Sequence, residues 1–373
     1  MSTFYRKEDF YCPNGAYLLS HSVGRPLREQ LAGFERDFIE PWQQSGQEPW
    51  PQWMSGIEGF RSALASLFNA SHDEFCPQSN LSSGLTKAFQ SHQTLRNAPV
   101  IVMAEQDFPS MGFVIQHAPF ERATLRMIPA ERDITDANVW AEFLQQDVDA
   151  VFISHVYSNT GQQAPVEDIL ALARGKNILS IVDVAQSAGV IPLDLQVSRP
   201  DFLVGSSVKW LCGGPGAGYL WINPDILPQC QPADVGWFSH QDPFEFDIHH
   251  FEFHESALRF MGGTPAVAPF VMAKQSMEYF ASLGINNVHN HNQRLVDRLH
   301  DQMGEHLVSP DDMSCRGATA IVSCEHISDA SELMKSNHIF IDQRKYGLRV
   351  SPHIYNNDDD IDAFVEVYKR GLK

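Results

Sequence analysis

A lysine lies just before a glycine-rich run in the stretch Ser206-Ser207-Val208-Lys209-Trp210-Leu211, which precedes Gly213-Gly214-Pro215-Gly216-Ala217-Gly218. The predicted fold follows from the strands on either side of this stretch. On its amino side, residues 201–205 read DFLVG, a short apolar run that predicts a buried strand leading into Lys209. On its carboxyl side, residues 218–222 read GYLWI and predict the strand that leaves the glycine turn. Most lysines are solvated at protein surfaces. A lysine that directly follows a buried strand is therefore predicted to have a chemical role.

Asp183 ends another apolar run, residues 178–184. If both runs are parallel strands, Asp183 and Lys209 lie at the same edge of the sheet. A lysine amine and a carboxylate are the pair that pyridoxal phosphate (PLP) requires. The amine bonds to the cofactor aldehyde, and the carboxylate keeps the pyridine nitrogen protonated, so that the ring withdraws electrons. We predict both residues as catalytic, with a helix cap as the alternative role for Asp183.

The chain around this pair alternates between strand and helix patterns. Apolar runs predict strands at 100–103, 124–128, 150–154, 178–184, 201–205 and 218–222, and helical patterns cover 59–68, 82–95, 136–145 and 166–175. Strands that alternate with helices predict a mainly parallel sheet covered on both faces, with ligands at the carboxyl ends of the strands. The predicted fold class is therefore α/β.

Three segments are predicted along the chain. Residues 1–46 form an N-terminal arm with one helix at 27–39, expected to contribute to the small domain or to a dimer interface. Residues 47–263 form the large cofactor-binding domain. Residues 264–373 form a smaller C-terminal α+β domain. The segments that predict this last domain are helices at 265–283 and 285–303, strands near 318–323, 339–342 and 348–351, and a closing helix.

Composition limits the partners of this chain. It has 373 residues, 43% of them hydrophobic, and a formal charge of -19, which opposes binding to nucleic acid or anionic lipid. The start of the sequence has no apolar signal region, and no apolar run is long enough to span a bilayer. The six cysteines have no CxxC spacing, which favours reduced thiols over a disulfide framework or zinc site. We expect a cytoplasmic protein that binds neither nucleic acid nor membrane.

The sequence disfavours two other ligand classes, dinucleotides and metal ions. The glycine turn at 213–218 does not complete a GxGxxG register, and it precedes a strand where a dinucleotide loop would open a helix. His249, His250 and His254 have no accompanying motif of known ligand spacing. The acidic run 358–360 falls at the predicted start of a helix, where carboxylates favour the positive end of the dipole. We predict no metal site.

Eight segments together resemble a known family. They are HSVGRP at 21–26, DFPS at 107–110, YSNTGQ at 157–162, DVAQ at 183–186, SVKW at 207–210, VGWFSH at 235–240, GTP at 263–265 and LRVSP at 348–352. Their order resembles the class V aminotransferase group of fold-type I PLP enzymes, and within it the kynureninases. The resemblance spans nearly the whole chain. It implies the PLP-dependent transferase fold, with a sheet of the seven-stranded type in the large domain.

The resemblance also implies a cofactor site. Its residues are Leu81, Ser82, Phe108, Asp183, Gln186, Ser206, Ser207, Lys209, Trp237 and Thr264. The segment 80–84 opens a helix whose N–H groups and hydroxyls can hold a phosphate, although the same residues suit an ordinary N-cap. Phe108 matches the ring that stacks on the pyridine face, with a structural core role as the alternative. Thr264 matches a position that reaches the phosphate of a neighbouring subunit, which implies a homodimer with shared sites.

Substrate contacts are implied at four further positions. Arg349 matches the arginine that grips a substrate α-carboxylate, a task suited to the planar guanidinium. A structural salt bridge is the alternative for this residue. His21, Ser22 and Asn159 match the family near the expected substrate, although Ser158 holds the place where aminotransferases of the group often have asparagine.

Three positions depart from the kynureninase pattern. Val208 replaces a tyrosine, Met111 replaces an acidic residue, and Gln186 replaces a histidine. Valine can neither anchor a phosphate nor relay a proton. The loop at 342–347 also has no cysteine, which excludes desulfurase chemistry through that loop.

These observations predict a PLP-dependent enzyme that acts on a small α-amino acid, with class V transamination preferred. A kynureninase-like hydrolase or β-lyase is the alternative reaction. A PLP-binding protein without turnover is the alternative from a different class. Arg349 together with Lys209 distinguishes the enzyme from the mere binder, because a binder needs no carboxylate clamp.

Overall fold

The computed structural model describes residues 4–44, 46–324 and 327–371. Its strands are β1 (Ala16–Tyr17), β2 (Phe75–Gln78), β3 (Val100–Ala104), β4 (Thr124–Ile128), β5 (Ala150–Ser154), β6 (Leu179–Asp183), β7 (Phe202–Ser206), β8 (Gly218–Ile222), β9 (Ala320–Val322), β10 (Ile339–Phe340), β11 (Asp342–Arg344) and β12 (Gly347–Val350). Within the described residues, seven of them form the main sheet, in the order β2-β8-β7-β6-β5-β3-β4.

The main sheet is mostly parallel, as predicted. β8 runs against its neighbours β2 and β7, and the other pairs in the sheet are parallel. The glycine turn causes this one reversal, because it joins β7 to β8 as adjacent strands. Gly214 and Gly216 have φ of +78° and +92°, a left-handed conformation that side chains disfavour. The turn therefore requires glycine for backbone geometry.

The described residues also form twelve α-helices. They are α1 (Gln30–Phe34), α2 (Glu40–Gln44), α3 (Trp50–Phe68), α4 (Leu81–Ser91), α5 (Gln93–Arg96), α6 (Pro109–His117), α7 (Ala137–Phe143), α8 (Val166–Arg174), α9 (Val267–Leu283), α10 (Ile285–Met303), α11 (Ile327–Ser336) and α12 (Asp358–Gly371). α4 contacts β7 and β8, and α8 contacts β5 and β6. None of the helices in the described ranges has the length and apolar character needed to cross a bilayer.

The N-terminal arm joins the C-terminal part of the chain. β1 pairs in parallel with β10, and the helical path predicted at 27–39 is observed as α1, a π-helical segment at Glu35–Ile39 and α2. β9, β11 and β12 form a separate antiparallel sheet. Two hydrophobic clusters result. α9 belongs to the larger one, and α10 contributes Val288 to the larger and its later buried residues to the smaller. α9 of the proposed domain 264–373 thus packs on α3 of the proposed domain 47–263.

Candidate active site

A cavity of about 230 Å³ opens at the carboxyl ends of three adjacent strands. The last residues of β5, β6 and β7, which are Ser154, Asp183 and Ser206, all line it. Sequence-predicted site residues that line the cavity are Leu81, Ser82, Phe108, Asp183, Gln186, Ser206 and Lys209. The parallel sheet brings these distant positions together because it aligns strand ends along one edge.

Lys209 and Asp183 both line this cavity, and the charge of each affects the pKa of the other. Within the described residues, the Lys209 amine makes no hydrogen bond or ion pair. Burial lowers the pKa of Lys209, and the Asp183 carboxylate opposes that change. Burial raises the pKa of Asp183, opposed by a 2.7 Å hydrogen bond from the Ala185 N–H and by the charge of Lys209. Each charge is therefore stabilised by the other. Among the described residues, the second oxygen of Asp183 has no hydrogen-bond donor and is free to accept one from a ligand.

Asp107 is a second buried carboxyl group close to Asp183. Its Oδ2 accepts a hydrogen bond from the Ala104 N–H at 2.8 Å, while its Oδ1 is buried without a partner in the described structure. Burial raises the pKa of Asp107 to about 7, and the Asp183 charge adds to this increase. The Tyr157 hydroxyl is likewise buried without a partner, and burial raises its pKa. Neither residue was predicted from the sequence as part of the site.

The amino end of α4 forms one edge of the cavity. Asn80 caps the helix by accepting a hydrogen bond from the Ser83 N–H at 2.9 Å. Leu81 and Ser82 therefore keep N–H groups that have no acceptor within the helix. A Cβ at Gly218 would lie 2.9 Å from the Asn80 carbonyl carbon, so glycine permits β8 to approach this helix end. A phosphate fits this place because helix N-termini attract anions.

The donor set of the cavity fits PLP. Lys209 supplies the amine, Asp183 the carboxylate and α4 the phosphate site. Phe108 is 43% exposed although its ring is apolar, and it lines the same cavity. An aromatic face left open at a cavity can stack on a planar ring. The residues present therefore match the aldehyde, nitrogen, phosphate and ring face of the cofactor.

Arg349 lies behind the cavity wall, held by a carboxylate of its own chain. Its Nε donates to Asp342 Oδ1 at 2.7 Å, and its Nη2 donates to Asp342 Oδ2. Its Nη1 donates at 3.2 Å to the carbonyl oxygen of Ser158, which lines the cavity. Burial would raise the pKa of Asp342, but hydrogen bonds from His21 and Arg349 hold it well below its usual value. Asp342 was not predicted from the sequence as the partner of Arg349.

The remaining implied substrate residues do not line the cavity. His21 is buried, and its carbonyl accepts a hydrogen bond from the Gln186 side chain at 3.2 Å. Ser22 is exposed in the arm. Asn159 is not among the residues that line the cavity, whereas its neighbour Ser158 is.

Three implied cofactor residues also lie outside the cavity of this chain. Ser207 is buried and its Oγ donates to the Gly214 carbonyl at 3.2 Å, inside the glycine turn. Trp237 and Thr264 lie at the protein surface, where the indole Nε1 donates to the threonine Oγ1 at 3.1 Å. Within one chain, neither of these two residues reaches the Lys209 cavity lining described above.

The chain belongs to the class V aminotransferase family. The family model, described as "Aminotransferase class-V", matches residues 44–364. This match confirms the predicted family of PLP-dependent enzymes and with it the predicted fold and cofactor. It also favours an enzyme over a protein that only binds the cofactor.

Individual proteins resemble this chain over most of its length. It is 24% identical to the uncharacterized aminotransferase YcbU of Bacillus subtilis, with 90% of this chain and 89% of that protein aligned. It is 26% identical to kynureninase of Pseudomonas fluorescens, over 86% of this chain and 79% of the kynureninase.

Solved structures show the same fold. A cysteine desulfurase from Thermococcus onnurineus has a TM-score of 0.84 at 18% identity, covering 95% of this chain and 94% of its own. A C-DES structure with glycine covalently linked to the PLP cofactor has a TM-score of 0.87 at 19% identity, covering 97% and 98%.

Proposed function

We propose that this protein is a class V aminotransferase that moves the amino group of a small α-amino acid. The observation that carries the proposal is the placement of Lys209 and Asp183 in one cavity, at the carboxyl ends of adjacent parallel strands. The N-terminus of α4 borders the same cavity and would hold the cofactor phosphate. PLP, when bound, supplies an aldehyde that bonds to amines and a ring that withdraws electrons from the substrate Cα.

Each residue then has a defined task. Lys209 would bond to the cofactor aldehyde, Asp183 would accept a hydrogen bond from the ring nitrogen, and Phe108 would cover the ring face. With the substrate amine bonded to the cofactor, the Lys209 amine would be free to take the Cα proton and to deliver it to the former aldehyde carbon of the cofactor. The lowered pKa of Lys209 favours this role, because burial makes its uncharged, basic form more accessible than in a surface lysine.

The cavity wall favours transamination over hydrolytic cleavage. Val208 and Met111 both line the cavity, at the positions where the kynureninase pattern has a tyrosine and an acid. Cleavage of a Cβ–Cγ bond needs a proton delivered to Cβ, and neither side chain can donate one. Transamination needs only the proton carried by Lys209. A kynureninase-like reaction remains the second candidate, supported by the 26% identity to a kynureninase.

The protein is further proposed to act as a cytoplasmic homodimer with sites shared between subunits. Trp237 and Thr264 lie on the surface of one chain, which suits a role at the partner's cofactor. The loop that follows Trp237 exposes apolar side chains, with Phe246 80% and Ile248 93% exposed. Apolar surface of this kind is typical of an interface. The cysteines of the described residues are unpaired, as expected in a reducing compartment.

An amino-acid panel tests the proposed reaction. The purified protein, loaded with PLP, is incubated with single amino acids, with and without α-keto acids, and products are identified by mass. We expect new keto acids and conversion of the cofactor to its pyridoxamine form in a single turnover. Efficient release of anthranilate from kynurenine by the unaltered protein would contradict the proposal and establish the second candidate.

A further inference from the structure

Arg349 has two hydrogen-bonding edges, and one of them is already used. Asp342 and Arg349 are directly opposite each other on β11 and β12, and the carboxylate binds the Nε and Nη2 atoms of the guanidinium. The Arg349 side chain is 3% exposed, whereas that of Asp342 is 33% exposed. The buried cation is thus paired side-on with a carboxylate that reaches solvent.

The second edge of the guanidinium points the other way. Nη1 contacts the carbonyl of Ser158, a residue of the cavity lining, whereas Asp342 does not belong to that lining. A guanidinium carries five N–H groups and can bind one carboxylate along Nε and Nη2 and another along Nη1 and Nη2. Asp342 occupies the Nε–Nη2 edge, whereas among the described contacts the Nη1–Nη2 edge is otherwise occupied only by the Ser158 carbonyl at Nη1, which a ligand carboxylate would join or displace.

Asp342 is itself fixed by a chain of hydrogen bonds. A carboxylate only accepts, so the His21 Nε2–H donates to Asp342 Oδ1 at 3.0 Å. Burial lowers the pKa of His21 to about 4, so at neutral pH the uncharged ring accepts at Nδ1, and the Ser351 hydroxyl donates to it at 2.5 Å. The Ser351 oxygen in turn accepts from Thr319 Oγ1 at 2.8 Å. With His21 uncharged, each hydrogen bond of this chain donates towards the Asp342 carboxylate, so the chain has a single orientation.

We propose that Asp342 is a positioning residue, which holds Arg349 so that its Nη1–Nη2 edge meets the α-carboxylate of the substrate. The site thereby selects amino acids over amines that lack this carboxylate. The inference rests on the proposed function. It adds a specificity-determining residue that never contacts the substrate.

We expect the loss of orientation to outweigh the loss of the charge that neutralises Arg349. Without this carboxylate, the buried guanidinium keeps only the Ser158 carbonyl among its described partners and turns towards other acceptors. A misaligned Arg349 guanidinium loses one of its two charge-assisted hydrogen bonds to the ligand carboxylate. Such a loss corresponds to about tenfold or more in affinity.

Asp342→Asn tests this role in the PLP-loaded protein. Asparagine has the same shape but places an NH₂ group against an Arg349 donor. Binding of L-alanine and of ethylamine, which differ only in the α-carboxylate, is measured by titrating the visible spectrum of the cofactor. We expect the affinity for L-alanine to fall about tenfold or more, while the affinity for ethylamine stays the same. For the best amino acid of the panel, KM should rise more than kcat falls.

Asp362→Asn is the matched control. Arg298 holds Asp362 with the same side-on geometry, at 2.8 and 2.6 Å, between α10 and α12. This variant should bind both probes like the unaltered protein. If Asp342→Asn is insoluble, Ser351→Ala replaces it, because it removes the donor to His21. We expect the same selective loss for L-alanine, smaller in size.

Three results would overturn the inference. L-Alanine binding that is unchanged or tighter in Asp342→Asn would show that the carboxylate competes with ligands or is irrelevant to them. An equal loss for both probes would show a general structural role. If Ser351→Ala has to be used, no change in L-alanine binding would also overturn it. Failure of the unaltered protein to bind PLP would instead contradict the proposed function.

Discussion

Replacing Asp183 with asparagine isolates the charge at the ring nitrogen from the shape of the site. Asp183 is buried, and its Oδ1 accepts the Ala185 N–H at 2.7 Å. Asparagine can keep this bond through its own Oδ1, so the backbone at the end of β6 should not move. Only the second oxygen, which is free to meet the cofactor, changes from a carboxylate oxygen to an NH₂ group.

The magnitude follows from the lost charge pair. Two unit charges about 4 Å apart interact by about 4 kcal/mol at an effective dielectric constant of 20. Each 1.36 kcal/mol of barrier is about tenfold in rate, so removal of Cα protons should slow about 10³-fold. PLP should still bind, because Lys209 and the end of α4 are unchanged.

Exchange of the substrate Cα proton for deuterium, followed by NMR in D₂O, measures this step whatever the final product. Asp201→Asn is the control, since Asp201 caps the opposite end of the same strands and accepts the Ser180 N–H at 2.7 Å. It should exchange at the rate of the unaltered protein. An Asp183→Asn protein that binds PLP and exchanges within tenfold of the unaltered rate would refute the assignment of Asp183.

Three further predictions concern other groups of the site. Borohydride should fix PLP to Lys209 and abolish the visible band; peptide mapping that finds the adduct on another lysine would remove the basis of the proposed function. Val208→Tyr should raise anthranilate release from kynurenine, measured by fluorescence, and no gain would show that the missing donor is not the cause. Asp107→Asn should stabilise the cofactor-free protein at pH 8 but much less at pH 4. The pKa of Asp107 is about 7 in the folded protein, above its ordinary value of 3.8, so the stability that the protonated carboxyl contributes is fully present below pH 4 and is lost as the pH rises through 7. The free energy of unfolding in urea should differ between Asp107→Asn and the unaltered protein by about 4 kcal/mol at pH 8. If the free energies of the two proteins depend on pH in the same way, the raised pKa of Asp107 is contradicted.

Periodicity alone located most of the large domain. The strands at 124–128 and 150–154 were predicted with the bounds that the structure shows. The second is buried throughout and is a continuous apolar run, whereas the first is an edge strand in which only Ile128 is buried. β2 escaped notice, since its four residues include Pro77 and give too short a pattern. α6 also went unpredicted, although Pro109 at its first position is a typical helix start.

Contacts between distant segments could not be read from the sequence in the same way. Arg349 was assigned to a substrate carboxylate by its motif, yet the carboxylate that it binds in the folded chain is Asp342. The pairing depends on the hairpin register, which Gly347 sets with a φ of +142°. A strand-turn-strand pattern over 342–350 was available as a signal, but it does not specify which residues lie opposite each other.

Several features that weaken stability are found around one end of the sheet. The Lys209 amine has no hydrogen bond in the described structure, and Asp107 Oδ1 and the Tyr157 hydroxyl are buried without partners. Phe108 leaves an apolar ring open to the cavity. Each of these is unfavourable in isolation, since buried polar groups normally have partners and large apolar rings are normally covered. A planar, anionic ligand with a reactive aldehyde would satisfy the amine, the ring and the helix end at once. Loading the protein with PLP should therefore raise its Tm, and the gain should shrink in Lys209→Ala, which removes the covalent contact and leaves the other contacts in place.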